Sequence, residues 1–152
     1  MTGWTQINGT AVALPQENVD TDQLIPARFM SAPRADGYGK FLLHDLRQDA
    51  VDHVLDRHAG ADVLITRRNF GSGSSREAAV YALVDFGIRA VFAPSFGDIF
   101  QSNAVNNGLL PARVSDAEID ALLDAIGTDA VSATVDLEKC AAVIAGHTLT
   151  FE

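Results

Sequence analysis

The chain has 152 residues, of which 47% are hydrophobic and 20% charged, so it can bury one sizeable core and lacks the composition of a disordered segment. Its formal net charge of −9 argues against nucleic acid or an anionic membrane as a partner, because both require a cationic face. The single cysteine, Cys140, excludes an internal disulfide and cannot supply the several thiolates of an iron–sulfur cluster or a structural zinc site.

The amino-terminal third predicts a strand followed by a functional loop. Residues 1–16 contain no basic segment leading into a long apolar stretch, and no segment approaches the ~20 apolar residues of a membrane span, so a cytoplasmic protein is expected. Ala11–Leu14 is a short apolar run ended by Pro15, and the polar segment Gln16–Gln23 is rich in Asp. Residues 31–40 contain Gly and Pro without an apolar period, which is typical of a mobile loop.

The middle third predicts a strand, a glycine turn, a helix and a second strand. After a short predicted helix at Asp49–His58, the run Ala61–Thr66 is apolar enough for a buried strand. The glycine turn Asn69–Ser74 leads into a predicted helix at Ser75–Phe86, and Arg89–Ala93 is the next strand. This order is typical of a βαβ unit with parallel strands.

The last third alternates further helices and strands. Phe96–Val105 is a predicted helix and Leu109–Val114 a predicted strand. Ser115 and Glu118 have capping-box spacing at the start of an amphipathic helix that Gly127 ends. The closing strands are predicted at Ala130–Val135, Ala141–Ala145 and Thr148–Phe151. Together the elements predict one α/β domain over residues 1–152, with a central sheet and helices on its faces.

The segment Asn69–Glu77 is where chemistry is expected. Nine of the eleven Lys and Arg residues lie between Arg28 and Arg89, which places any anion site in the middle of the chain. Gly71 and Gly73 allow a ligand to approach the main chain, and backbone N–H groups at a helix start attract anions. Arg76 can bind a carboxylate with two parallel hydrogen bonds.

The same segment fits the common phosphate-binding motifs poorly. The P-loop requires a Gly-Lys-Ser/Thr ending, which is absent, and the dinucleotide fingerprint lacks its third glycine because Arg76 stands there. Ser74 and Glu77 also have capping-box spacing, so the serine could serve the helix alone. The polar groups exceed what one cap needs, which favours a binding site.

Four ordered segments carry a resemblance to a known family: Asn18–Pro26, Asn69–Glu77, Ala93–Phe100 and Asn106–Pro111. With them the chain resembles the small subunits of the isopropylmalate dehydratases, which correspond to the last domain of aconitase. The resemblance implies a compact swivelling β/α domain with a mixed sheet and flanking helices. It also implies a hydro-lyase that interconverts 2-isopropylmalate and 3-isopropylmalate by dehydration and rehydration, in leucine biosynthesis.

The same resemblance implies a partner and a cofactor outside this chain. The [4Fe–4S] cluster is expected on a cysteine-containing large subunit, and this chain is expected to bind no cofactor or metal itself. Activity should therefore require the large subunit, and the substrate should be a small di- or tricarboxylate. Related subunits acting on homoaconitate, citraconate or dimethylmalate remain an alternative, as does a stand-alone anion-binding module.

The resemblance also assigns roles to individual residues. Ser74 would be the base that removes the carbon-bound proton, Ser75 and Arg76 would hold the substrate, and Asp22 would support the same pocket. The loop that contains Arg28, Phe29, Met30 and Arg34 is expected to select the side chain of the substrate, because an apolar tail needs an apolar wall. Within this loop, Arg34 is expected to help bind the substrate.

Departures from the family pattern leave the exact substrate open. Ser72 replaces a frequent Cys, Arg68 stands where an acid is common, and Ala78 replaces a frequent His. None of them removes Ser74 or Arg76.

The remaining titratable residues predict no second site. His44, His53, His58 and His147 have no metal-ligand spacing, and the acidic row on the capped helix is expected to face solvent. Cys140 lies in an apolar stretch and is expected to be a small core residue.

Overall fold

Seven β-strands and six α-helices lie in the part of the chain that the computed structural model describes, residues 5–34, 37–49, 53–73 and 76–151. The strands are β1 Gln6–Leu14, β2 Val63–Thr66, β3 Ala90–Ala93, β4 Leu110–Arg113, β5 Val131–Asp136, β6 Ala141–Ile144 and β7 His147–Thr150. The helices are α1 Thr21–Leu24, α2 His44–Asp49, α3 Val54–Arg57, α4 Glu77–Phe86, α5 Asp98–Asn106 and α6 Asp116–Ile126. Short 3₁₀ turns cover Ala27–Phe29 and Gly39–Phe41.

All seven strands form one mixed sheet in the order β4-β3-β2-β1-β5-β6-β7. The first four in this order are parallel, with Val12 opposite Leu64 and Leu64 opposite Val91. On the other side of β1, the strands β5, β6 and β7 continue the sheet in antiparallel pairs. Since α4 connects β2 to β3, the predicted βαβ unit and the predicted mixed α/β fold are confirmed.

The parallel half of the sheet is apolar on both faces, as a sheet covered on both sides must be. All four residues of β2 are buried. One face packs against α4, and the residues buried there include Val12, Leu64, Val91, Ala79 and Leu83. The other face packs against α6, and the residues buried there include Ala11, Ile65, Phe92, Ile119 and Leu122. Each fully buried large aliphatic side chain contributes roughly 1.5–3 kcal/mol to stability.

Helix α6 begins as its sequence predicts. The Ser115 hydroxyl accepts a hydrogen bond from the Glu118 N–H at 3.1 Å, and the Glu118 carboxylate accepts one from the Ser115 N–H at 3.1 Å. The capping box is therefore confirmed, and Gly127 follows the last helical residue.

The single helix predicted at Asp49–His58 is wrong. Helix α2 ends at Asp49 and α3 begins at Val54, and residues 50–52 lie outside the described part of the chain. His53 has a ψ of 142°, which is not helical, and its Nδ1 accepts the Leu55 N–H at 3.1 Å. The imidazole caps α3, and a cap residue must itself leave the helical conformation.

The prediction that Cys140 is a core residue is also wrong. Cys140 is exposed in the turn between β5 and β6, where it has a φ of +49° and donates its N–H to Leu137 O. The apolar residues beside it belong to β6, which alternates inward and outward side chains. In the described ranges, no helix is both long and apolar enough to cross a bilayer.

Candidate functional site

Three loops meet at one edge of the parallel half of the sheet. They follow Leu14 of β1, Thr66 of β2 and Ala93 of β3. Because parallel neighbours end at the same edge, the loops after these strands lie side by side. The second loop carries the glycine turn, so the sheet itself places the turn between the other two loops.

The first loop runs alongside the glycine turn and is bonded to it repeatedly. The Asn18 N–H donates to Arg68 O at 3.0 Å, the Gly71 N–H donates to Val19 O at 2.7 Å, and the Thr21 N–H donates to Ser72 O at 2.9 Å. These bonds fix where α1 begins relative to the turn. They were not predictable from either segment alone.

The third loop holds the glycine turn from its other side. The Phe70 N–H donates to Ser95 O at 3.2 Å, and the Gly97 N–H donates to Phe70 O at 2.9 Å. The Ser95 hydroxyl accepts the Asn69 N–H at 2.8 Å. The turn is thus bonded on both sides.

Gly71 and Gly97 are required by close packing within this edge. Gly71 has a φ of +78°, and a Cβ there would lie 2.2 Å from Phe100 Cγ. A Cβ on Gly97 would lie 2.5 Å from the carbonyl oxygen of Gly71. Only glycine lets the second and third loops approach this closely.

Arg76 and Asp22 face each other across the two loops. Arg76 is the N-cap residue of α4, and its Nη1 donates to Asp22 Oδ1 at 2.7 Å. Asp22 lies in the first turn of α1, which is fixed by a capping box between Asp20 and Gln23. The Arg76 side chain is 24% exposed and that of Asp22 is 67% exposed, so the pair lies at the surface with one edge open to solvent.

Ser74 and Ser75, the predicted base and a predicted substrate ligand, lie outside the described residues. Their neighbours on both sides are described. Gly73 precedes them with a φ of +94°, and Arg76 follows them. The structure thus brings together Asp22 and Arg76 among the predicted site residues.

Glu77, the first residue of α4, forms side-chain hydrogen bonds with the next turn of the helix and with the residue that follows α5. Its carboxylate accepts hydrogen bonds from the Tyr81 hydroxyl at 2.7 Å and from Asn107 Nδ2 at 3.0 Å. These donors lower the pKa of Glu77, the Tyr81 hydroxyl first and Asn107 second. The hydrogen bond to Glu77 raises the pKa of Tyr81, so near neutral pH the pair consists of a carboxylate and a protonated phenol.

Arg34 lies beside α4, between Tyr81 and Asp85. Its guanidinium donates to both carboxylate oxygens of Asp85, at 2.9 and 2.8 Å, and stacks 3.9 Å from the centroid of the Tyr81 ring. The hydrogen bond from Arg34 lowers the pKa of Asp85. Asp85 is roughly 12 Å from the start of α4 along the helix axis. Arg34 as a substrate ligand stays a prediction.

The loop around Arg34 also has more internal contacts than its composition predicts. The Tyr38 hydroxyl donates to Ala32 O at 2.7 Å, and the Tyr38 N–H donates to Asp85 Oδ2 at 2.9 Å. Residues 35–36 lie outside the described part of the chain.

Within the described ranges, no three His, Cys, Asp or Glu residues are grouped as metal ligands. His44 bonds to Asp45, His53 caps α3, and His58 contacts Thr128 O. In the acidic row of α6, Asp120 pairs with Arg67 at 2.9 Å.

Sequence reasoning gave no role to Ser95, Asn18 or Asn69, which join the three loops. Asn69 Nδ2 donates to Asn18 Oδ1 at 2.8 Å, and both residues have positive φ, +61° and +56°. Asparagine tolerates the left-handed conformation better than most residues, which was the available signal.

Comparisons with known proteins agree with one another. A family model described as the aconitase C-terminal domain matches residues 1–117. The 3-isopropylmalate dehydratase small subunit of Shewanella baltica (strain OS185) is 45% identical over 150 residues, which cover 92% of this chain and 75% of that protein. The protein of the same name from Shewanella amazonensis is 46% identical over 149 residues, covering 91% of this chain and 74% of that one.

A solved structure gives the same result in three dimensions. The crystal structure of a 3-isopropylmalate dehydratase from Methanocaldococcus jannaschii superposes with a TM-score of 0.72 at 32% sequence identity. The match covers 97% of this chain and 81% of that one.

Proposed function

Because the chain belongs to the family of 3-isopropylmalate dehydratase small subunits, which contain the aconitase C-terminal domain, we propose that its glycine turn and the start of α4 form its half of the active site. Membership of this family makes the chain the small subunit of a hydro-lyase of leucine biosynthesis that works as part of a heteromeric enzyme. The substrate that we propose is isopropylmalate. We also propose that residues 1–152 form one domain, since the seven strands share one sheet, and that this domain swivels as the family resemblance implies.

Arg76 is the residue whose placement carries this proposal. It follows Ser74 and Ser75 directly, is partly buried, and is already bonded to a carboxylate, that of Asp22. A guanidinium has five donors, and among the described residues Asp22 is its one side-chain partner, so further donors can bind a carboxylate of the substrate. In this proposal Asp22 orients Arg76 and does not bind the dianionic substrate directly, because like charges repel.

Ser74 is proposed to act as the base in the elimination. Its Oγ takes the proton from the carbon next to the hydroxyl-bearing carbon, the C–H electron pair forms the C=C bond, and the hydroxyl group leaves as water once protonated. Re-addition of water with the opposite orientation gives the isomer. Ser75 is proposed to hold the substrate beside Arg76.

A serine hydroxyl needs considerable help to act as a base. Its pKa lies far above neutral, and lowering it by about six requires about 8 kcal/mol at 1.36 kcal/mol per unit. A helix N-terminus contributes at most ~2 kcal/mol. The remainder must come from Arg76 and from a water-excluding enclosure, which this chain does not provide alone because Gly73 and Asp22 are exposed.

The large subunit is proposed to provide that enclosure and to carry a [4Fe–4S] cluster on its cysteines. When bound there, the cluster would supply the electrophile that assists departure of the hydroxyl group. This chain has one cysteine, and that cysteine is exposed in the β5–β6 turn. We place the enzyme in the cytoplasm, where reducing conditions keep thiolate ligands intact.

The proposal is tested by co-expressing the chain with its large subunit and assaying isopropylmaleate hydration without oxygen. Ser74→Ala should abolish turnover and leave subunit pairing and the melting temperature nearly unchanged. Full activity of Ser74→Ala with a lower melting temperature would mean that the serine only caps the helix.

The same assay compares substrates. Faster hydration of an acid from the homoaconitate, citraconate or dimethylmalate reactions would leave the roles of Ser74 and Arg76 intact and overturn isopropylmalate as the substrate. A chain that purifies alone and gains no activity with the large subunit would overturn the whole proposal.

A further inference from the structure

We propose that Ser95, together with Asn69 and Asn18, positions the glycine turn so that the residues after it reach the substrate in a reactive arrangement. These three are positioning residues, since none of them is placed on the substrate. The inference rests on the function proposed above for Ser74 and Arg76.

Ser95 binds two consecutive amides of the glycine turn. Its hydroxyl accepts the Asn69 N–H at 2.8 Å, and its carbonyl oxygen accepts the Phe70 N–H at 3.2 Å. The carbonyl bond belongs to the backbone pairing of Phe70 with Phe96 and does not depend on the side chain. A change from serine to alanine therefore removes the bond to Asn69 and keeps the other.

Asn69 transmits this constraint to the first loop. Its side chain donates to Asn18 Oδ1 at 2.8 Å, and the backbone of Asn18 donates to Arg68 O at 3.0 Å. Further along the same two loops, the Thr21 N–H donates to Ser72 O, and Asp22 then meets Arg76. The Asn18–Asn69 bond is thus the first contact in a series whose last contact is the proposed substrate-binding pair.

These contacts lie apart from the two cores. Asn18 and Asn69 are exposed, and neither belongs to a strand or helix. If these contacts served stability alone, their loss would lower the melting temperature no more than the loss of other surface contacts. A role in positioning predicts instead a selective loss of turnover, because misplacement by as little as 1 Å can reduce a rate by about a hundredfold.

The experiment measures kcat, KM and melting temperature for the complex of both subunits carrying Ser95→Ala, Ser95→Thr or Ser132→Ala. Ser95→Ala should lower kcat by about tenfold, because a displacement smaller than about 1 Å causes only part of the hundredfold loss. The KM should change less than about threefold. Ser95→Thr keeps the hydroxyl and should restore most of the turnover. Ser132 is exposed on β5, away from the three loops, and its change to alanine should have no effect.

A second variant guards against misfolding of the first. Asn69→Gly suits the positive φ and removes only the side-chain bond to Asn18, and it should lower kcat in the same way. Wild-type kcat in both Ser95→Ala and Asn69→Gly, or an unchanged kcat with a raised KM, would overturn this inference. A wild-type complex without activity, or an active Ser74→Ala variant, would instead refute the proposed function.

Discussion

Arg76 shares its guanidinium between Asp22 and, in the proposed reaction, a substrate carboxylate. Arg76→Lys keeps the positive charge but loses the planar pair of donors that matches a carboxylate. A charge-assisted hydrogen bond is worth about 1.5–3 kcal/mol, so KM should rise by roughly 10- to 100-fold. Steady-state kinetics of the two-subunit enzyme check this result.

Arg57→Lys on α3 is the matched control for Arg76→Lys. Arg57 donates to Thr128 O, on a part of the chain that contributes nothing to the three loops, and its change should leave KM as it is. An equal rise of KM in both variants, or none in Arg76→Lys, would contradict a substrate-binding role for Arg76.

The spacing of a capping box occurs at two places in the chain, and it is confirmed at Ser115. Ser115 and Glu118 form the predicted box, because both of its hydrogen bonds are local. At α4 the N-cap residue is Arg76, so Glu77 holds the first helical position and bonds to Tyr81 and Asn107. Asn107 is 30 residues away, and no local pattern could predict that contact.

At the scale of elements, α3 depends on a cap that titrates. His53 Nδ1 accepts the Leu55 N–H, which only the neutral imidazole can do. Burial lowers the pKa of His53 from its ordinary value of 6.5. The contribution of the cap to stability is therefore fully present above pH 6.5 and is lost as the pH falls through the lower pKa of the folded chain.

His53→Asn keeps a side-chain acceptor and removes the titration. As the pH is lowered from neutral, urea unfolding should show the wild-type chain losing stability relative to His53→Asn. His53→Ala removes the acceptor and should be less stable than His53→Asn at every pH, by about 0.5–2 kcal/mol. Parallel pH dependences of the wild-type chain and His53→Asn would contradict this account.

This cap also explains why the predicted helix Asp49–His58 is not continuous. The spacing of Val51, Val54 and Leu55 is helical, but periodicity does not indicate where a residue leaves the helix to cap the next one. Histidine is not among the usual N-cap residues, so the sequence carried no signal for the break.

At the scale of the whole molecule, the strands and the βαβ connection followed from apolar runs and turns, and the order of the sheet did not. The run Ala11–Leu14 predicted only the end of β1, whose first half, with Gln6, Asn8 and Thr10, is mostly polar and pairs with β5. That pairing joins residues more than a hundred positions apart. A local pattern contains no information on such partners, and the meeting of the three loops depends on the same order.

In the proposed function, the sheet separates catalysis and stability between its two edges. The carboxyl edge of the parallel half carries the three loops, whereas Asp62 joins strands at the amino end of β2. Its carboxylate accepts the Thr10 N–H at 3.1 Å and a hydrogen bond from Arg89 Nη2 at 3.1 Å. Gly9 leaves room for it, since a Cβ on Gly9 would lie 1.8 Å from Asp62 Oδ2.

Gly9→Ala should therefore destabilise the chain without changing the chemistry. The new methyl group must displace the Asp62 carboxylate from Thr10 and Arg89, at a cost of about 1–3 kcal/mol and a fall in melting temperature of roughly 2–10 °C. Gly60→Ala is the matched control, because nothing lies within 4 Å of a Cβ at Gly60. Below the melting transition, the kcat of the Gly9→Ala complex should equal that of the wild type, because the three loops at the carboxyl edge keep their contacts. A large loss of kcat with an unchanged melting temperature would mean that the two edges are coupled and that this separation is wrong.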